Sequence, residues 1–188
     1  MKRIGLILVI AAMALPALGA VEAGFVSVDG VVRVSDGQNG WQPAQAGTAL
    51  EPGDTIATGF RGRAVVAIGE SEVTVSPLSQ VSLSELVERN RDVEAELSMP
   101  FGRVEARVRS AERTRTDFRV VSPVSTASVK GTDFVYDGIS LSVSEGDVAI
   151  ENLIGQTHSV RAGQESRAYA REPIVSVETY LEQDILLD

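Results

Sequence analysis

From Gly24 onward, apolar and polar residues alternate with a period of two in one short segment after another. In DVEAELS, Val93, Ala95 and Leu97 fall on one side, with Asp92, Glu94, Glu96 and Ser98 on the other. RVEARVR repeats the pattern, setting Val104, Ala106 and Val108 against Arg103, Glu105, Arg107 and Arg109. Successive side chains of an extended chain point to opposite faces, so this rhythm predicts strands with one buried face. MPFG lies between the two segments, and its Pro100 and Gly102 suit a turn. A hairpin closed by Met99–Gly102 would set Leu97 opposite Val104, Ala95 opposite Ala106 and Val93 opposite Val108. Its outer face would pair Glu94 with Arg107 and Asp92 with Arg109, and would leave Glu96 against Glu105.

ISLSVSEGDVAIEN predicts a second hairpin, turning at Glu145-Gly146, and FVSVDGVVRV a third, turning at Asp29-Gly30. RAVVAI, EVTV, QVSLSEL, DFRVV, TASV, DFVYD, HSVRA and SRAYA supply further strands. About a dozen short antiparallel strands at turn spacing predict an all-β, jelly-roll-like sandwich. Helical rhythm is confined to the C-terminal SVETYLEQDILLD, where Val177, Leu181 and Ile185 stand four apart. Thirteen residues are marginal for an isolated helix, so this segment is expected to dock on the sandwich; a partner-binding tail is the alternative.

The N-terminus reads differently. Met1-Lys2-Arg3 precedes the uncharged IGLILVIAAMALPALGA, the pattern of a secretory signal peptide, and cleavage after Gly19, Ala20 or Ala23 suits the small residues there. Residues Ile4 to Val21 also approach the ~20 apolar residues of a membrane span, so a retained anchor is the other reading. Both export the remainder. The expected organisation is a signal peptide at 1–23, one β-sandwich domain at 24–170, and a C-terminal helix or tail at 171–188.

Composition narrows the chemistry. Of 188 residues none is Cys, so neither a disulfide nor lipidation at a signal-peptide Cys is available. Removing Lys2 and Arg3, with no acid among residues 1–20, takes the formal charge from −9 to −11. Such an acidic domain repels nucleic acid and anionic membrane surfaces. One His and no Cys leave no transition-metal cluster, and no acidic loop has EF-hand spacing.

SVKGT is no phosphate loop, because Lys130 precedes Gly131 and a strand-like segment follows Thr132 where a helix would be needed. His158, in GQTHSVRAG, reads as a partly exposed structural His at a strand start, and no Gly-x-Ser-x-Gly elbow accompanies it. Twenty-six acids make some carboxylate pair inevitable and therefore uninformative. An enzyme is not expected. Trp41 reads as an amphipathic anchor at the core or rim, or as a stacking platform for a ligand. Pro52-Gly53-Asp54 signals a turn, and Gly59 is expected to adopt a positive φ before the next strand pair.

The order of motifs resembles the FecR-domain family. Those motifs are GW with GTALEPGDTIATG, then GRAVVAI, VSLSEL, FGRVEARV, FRVVSPVSTASVKGTDF, VSEGDVAIEN and VRAGQ, running from about Val26 to Gln164. The residues that carry the resemblance are Trp41, Gly53, Asp54, Thr58, Gly59, Pro123, Gly131, Thr132, Gly146 and Gly163. Lys130 stands where family members usually have Arg. The resemblance implies an all-β periplasmic domain in which SPVSTASVKGTDF forms two β-segments joined at a Gly-Thr corner. It also implies sensing or binding through another envelope or secreted protein, with no cofactor. Family members relay signals to a sigma factor through a cytoplasmic N-terminal region. Met1-Lys2-Arg3 occupies that place here, so direct contact with a sigma factor is not expected, nor is a membrane span after signal cleavage. A module binding a glycan or other envelope ligand through Trp41 and nearby strands is the alternative.

Overall fold

A computed structural model describes residues 21–90, 92–170 and 175–176. The expected signal segment and nearly all of the expected C-terminal helix lie outside them; Ser176, at the start of that helix, instead closes a short strand. In chain order the strands are β1 (Ala23–Asp29), β2 (Val32–Ser35), β3 (Gln42–Pro43), β4 (Ala49–Leu50), β5 (Thr55–Thr58) and β6 (Arg63–Ile68). There follow β7 (Ser71–Val75), β8 (Gln80–Arg89), β9 (Asp92–Phe101), β10 (Val104–Arg107), β11 (Thr116–Val121) and β12 (Ser125–Val129). The last six are β13 (Asp133–Tyr136), β14 (Ser140–Glu145), β15 (Asp147–Asn152), β16 (Thr157–Arg161), β17 (Glu165–Arg167) and β18 (Val175–Ser176). They form two nine-stranded sheets, β18-β17-β14-β13-β10-β7-β6-β1-β4 and β16-β15-β12-β11-β9-β8-β5-β2-β3. The all-β sandwich is therefore as read from the alternation. The larger strand count comes from β3, β4, β17 and β18, whose two or three residues are too short to show any period.

The core lies between the sheets. Phe25, Met99, Phe118, Phe134, Tyr136, Leu141 and Ile150 are buried there, with Ala95, Leu97, Val104, Ala106 and Val108 on the predicted face and Val93 half-buried. Pairing departs from the predicted hairpins. β9 continues through the expected turn to Phe101, burying Met99, and pairs with β8 and β11, whereas β10 pairs with β7 and β13 in the other sheet. Glu96 accordingly meets Arg119 at 3.3 Å, and Arg107 meets Glu72 at 3.9 Å. The chain likewise changes sheet at Asp29-Gly30 and at Glu145-Gly146. The physical reason is parity: a hairpin within a sheet and an arch between sheets both return apolar residues to the same core, so alternation cannot tell them apart. β9 and β11, separated in sequence by β10 of the opposite sheet, run parallel.

Candidate interaction surface

Because strands traverse the sandwich back and forth, successive turns fall at opposite ends. One end gathers the turns at 29–31, 59–62, 76–79, 101–103, 122–124, 137–139 and 153–156. The other gathers those at 36–41, 51–54, 69–70, 130–132, 145–147 and 162–164, the turn between β8 and β9, and the segment 108–115. The two sets differ in chemistry. Exposed Val31, Phe60, Leu78, Phe101, Ile139, Leu153 and Ile154 all belong to the first set, and Phe60 is 76% exposed. The second set carries Glu51, Asp54, Glu70, Arg109, Glu112, Lys130, Glu145 and Asp147.

Backbone and hydroxyl contacts hold the apolar turns side by side. The Gly59 N–H donates to the Val31 carbonyl at 2.8 Å, while the Gly59 carbonyl accepts from Gly62 N–H at 2.9 Å and Leu78 N–H at 3.2 Å. Thr58 is buried, its hydroxyl donating to the Ser76 carbonyl at 2.6 Å and accepting from Ser79 N–H at 2.9 Å. Ser79 Oγ in turn accepts from Arg103 N–H at 3.0 Å, and Arg103 pairs with Asp137 at 3.4 Å. Ser122 Oγ donates to the Gly138 carbonyl at 2.9 Å, beside Pro123. Asn152 Oδ1 accepts from Ile154 N–H at 3.2 Å and Gln156 N–H at 3.0 Å. Beneath this row Tyr136 is fully buried, its hydroxyl 2.8 Å from both Ser125 Oγ and the Ser125 carbonyl. Burial pushes the Tyr136 phenol above its ordinary value, and bonds from Ser122 and Ser125 oppose that rise in part.

Leu78 is held at φ +55°. A bulky L-residue in the left-handed region is strained, and here the strain fixes an apolar side chain in water.

The residues singled out in the sequence divide between the ends. Thr58, Gly59 and Pro123 frame the apolar turns. Gly59 does so without the expected positive φ; a Cβ there would lie 3.2 Å from Val31 Cβ, so close approach is what calls for Gly. Gly131 (φ +67°), Thr132, Gly146 (φ +82°) and Gly163 (φ +80°) meet at the charged end. There Val108 N–H donates to the Thr132 carbonyl at 2.8 Å, Ala162 N–H to the Gly146 carbonyl at 2.9 Å, and Gly163 N–H to the Val143 carbonyl at 2.8 Å. Arg109 reaches Asp133 at 2.5 Å and Glu145 at 3.3 Å, and its pKa is raised chiefly by the hydrogen bond to Asp133. Gly53 and Asp54 form the expected turn, with Asp54 Oδ2 accepting from Glu51 N–H at 2.9 Å. Trp41 is 45% exposed in the turn before β3, at the end that carries Glu51 and Asp54 and away from the other exposed apolar tips. His158 is half-buried on β16. The motif residues thus shape corners.

Among the described residues, no group of three His, Cys, Asp or Glu is placed to hold a metal ion, and no helix is long and apolar enough to cross a membrane. A shallow groove of about 650 Å³ on the outer face of one sheet, lined by Glu94, Asp117, Arg119, Ser128, Lys130 and Asp147, is crossed by the Lys130–Asp117 pair at 3.3 Å.

Sequence reasoning missed the seven apolar tip residues as a group, because each stands in or beside a turn of its own segment, with Leu153 and Ile154 sharing one. A signal was present: GFRG, SPLS, MPFG, DGIS and NLIG each place a large apolar residue beside a turn-forming Gly or Pro, or within one residue of it.

The family model described as FecR protein matches residues 54–149. Two crystal structures of a candidate anti-sigma factor from Parabacteroides distasonis ATCC 8503, at 1.65 and 2.50 Å resolution, share the fold. Each gives a TM-score of 0.52 at 14% identity, covering 65% of this chain and 58% of the other. The chain therefore spans less than two thirds of that protein's length, and the likeness bears on fold alone. No curated protein matches.

Proposed function

Because the chain belongs to the FecR family, we propose that it is a non-enzymatic sensing or interaction module of the cell envelope, acting through another envelope protein. Residues 24–170 form the working domain, delivered outside the cytoplasm by the N-terminal segment. The observation that carries this reading is the apolar end. A row of exposed apolar side chains gathered at one end of a domain marks an interaction site, and most of the turns that carry this row are hydrogen-bonded to one another. Its exposed apolar side chains carry no nucleophile, base or metal ligand, and recognition is the chemistry they support. The partner presents an apolar face to Phe60, Phe101 and Ile139, and the charged end is left facing water. Gly131, Thr132, Gly146 and Gly163 serve the fold and make no contact with the partner.

The test is site-specific photo-crosslinking in intact cells. A photoreactive residue at Phe60 or Phe101 should capture one dominant envelope protein, and the same residue at Glu70 or Glu112 should not. Capture from the charged end alone would overturn the proposal. A second reading, recognition of a glycan or another envelope ligand, draws support from the exposure of Trp41. Binding to purified cell-wall material that is lost in Trp41→Ala would favour it.

A further inference from the structure

We infer that the apolar end is also a self-association surface, on which two copies of this chain meet head to head about a two-fold axis and so mask the site that the partner needs. This rests on the proposed role of the apolar end and adds a regulation to it.

Three observations select a second copy as the occupant. First, charge. The whole chain carries −9, so most mutual orientations of two copies are repulsive. The apolar end is the exception: Arg63 stands across from Asp29 in the β1–β6 ladder, and Arg103 is paired with Asp137. Second, the charges left over are complementary to themselves. Arg61 is exposed at the Phe60 side of the row, and Glu151 is exposed at the Leu153 side, on β15. A two-fold axis through the middle of the row brings the Phe60 side of one copy onto the Leu153 side of the other, setting Arg61 against Glu151 twice. Third, the path is open. Val21 and Glu22 enter beside Gly69 at the charged end, with the Gly69 N–H donating to the Glu22 carbonyl at 3.0 Å. β18 pairs antiparallel with β17, so the chain also leaves Ser176 heading away from the apolar end. At the described ends, Val21 lies at the charged end and Ser176 runs towards it.

Sedimentation velocity of the full chain, over a concentration series, tests this. A reversible dimer should appear in the micromolar range (on the order of 1–100 μM, as for modest interfaces). Phe60→Ser or Leu153→Ser should each weaken it at least tenfold. Arg61→Glu and Glu151→Arg should each weaken it severalfold, and the double exchange should restore it. A monomer throughout the series would overturn the inference, as would a dimer indifferent to Phe60 and Leu153, or one that the double exchange fails to rescue. A monomer that instead co-sediments with phosphatidylglycerol vesicles would overturn it in favour of a lipid surface. Continued crosslinking of an envelope protein at Phe60 by a strictly monomeric chain would remove the self-association and leave the proposed function standing.

Discussion

Gly146→Ala probes the corner where the family motif residues meet. Gly146 sits at φ +82° between β14 and β15, and an added Cβ would lie 2.4 Å from Thr132 Cγ2 and 3.1 Å from the Gly131 carbonyl. Holding Ala in the left-handed region costs about 1–2 kcal/mol. Overpacking against a fully buried Thr132 adds about 1–3 kcal/mol. The smaller entropy of the unfolded Ala chain returns about 0.4–1 kcal/mol. The net expectation is a loss of about 2–4 kcal/mol, read as a lower urea midpoint at unchanged m-value. Thr132→Ser separates the two causes. The Thr132 Oγ1 is buried without a hydrogen-bond partner, so the substitution keeps the same hydroxyl environment and removes only the methyl that the new Cβ would strike. Alone it should cost about 1 kcal/mol for one buried methyl. Combined with Gly146→Ala it should recover about 1–2 kcal/mol of coupling in a double-mutant cycle, leaving the backbone share behind. A Gly146→Ala cost under ~0.5 kcal/mol, or one unchanged in the Thr132→Ser background, would refute this account of the corner.

Tyr136→Phe should destabilise by about 1–3 kcal/mol, because the Ser122 and Ser125 hydroxyls lose a buried partner. Burial raises the Tyr136 pKa above 10.0, so the stability it lends is whole below that pH and is lost as pH climbs through the raised folded value. Thermal melts above pH 10 should therefore fall more steeply for the parent chain than for Tyr136→Phe, and parallel slopes would count against the buried phenol. Leu78→Asn should stabilise by about 0.5–1 kcal/mol, since Asn tolerates φ +55° and little buried surface is forfeited, while crosslinking from the apolar end weakens. Destabilisation instead would mean that Leu78 is packed. Phe60→Ser should leave the unfolding free energy from urea titration within about 0.5 kcal/mol of the parent, as expected of a side chain 76% exposed.

What the sequence disclosed follows from what alternation encodes. Period two reports which face of a strand is buried, and it placed Ala95, Leu97, Val104, Ala106 and Val108 correctly in the core. It carries no information on which strand lies alongside, since an arch and a hairpin leave the same inward parity. That choice is made at the turn. At Gly69-Glu70 the chain folds straight back, and β6 pairs with β7 over five residues. At Gly102, Gly131 and Gly146 one glycine of positive φ steers the chain into the other sheet. The apolar end was hidden for a related reason. Val31, Phe60, Leu78, Phe101 and Ile139 are far apart in sequence and lie in turns or at the ends of periodic segments, so a search along the chain sees scattered apolar residues, which are ordinary on any protein surface. Their meaning emerges once the turns are sorted by end. Each traverse of the sandwich reverses the chain, so alternate turns sample alternate ends, and turn composition becomes a one-dimensional record of two surfaces. In this chain that record is uneven: Phe60, Leu78, Phe101, Ile139 and Leu153 fall in one class, and Glu70, Lys130, Glu145 and Asp147 in the other, with Trp41 the large apolar exception there. Stability does not require such a separation, because exposed tips contribute little to the core. A strained Leu78 kept in water at one of those tips argues in the same direction, for a surface shaped by what it touches.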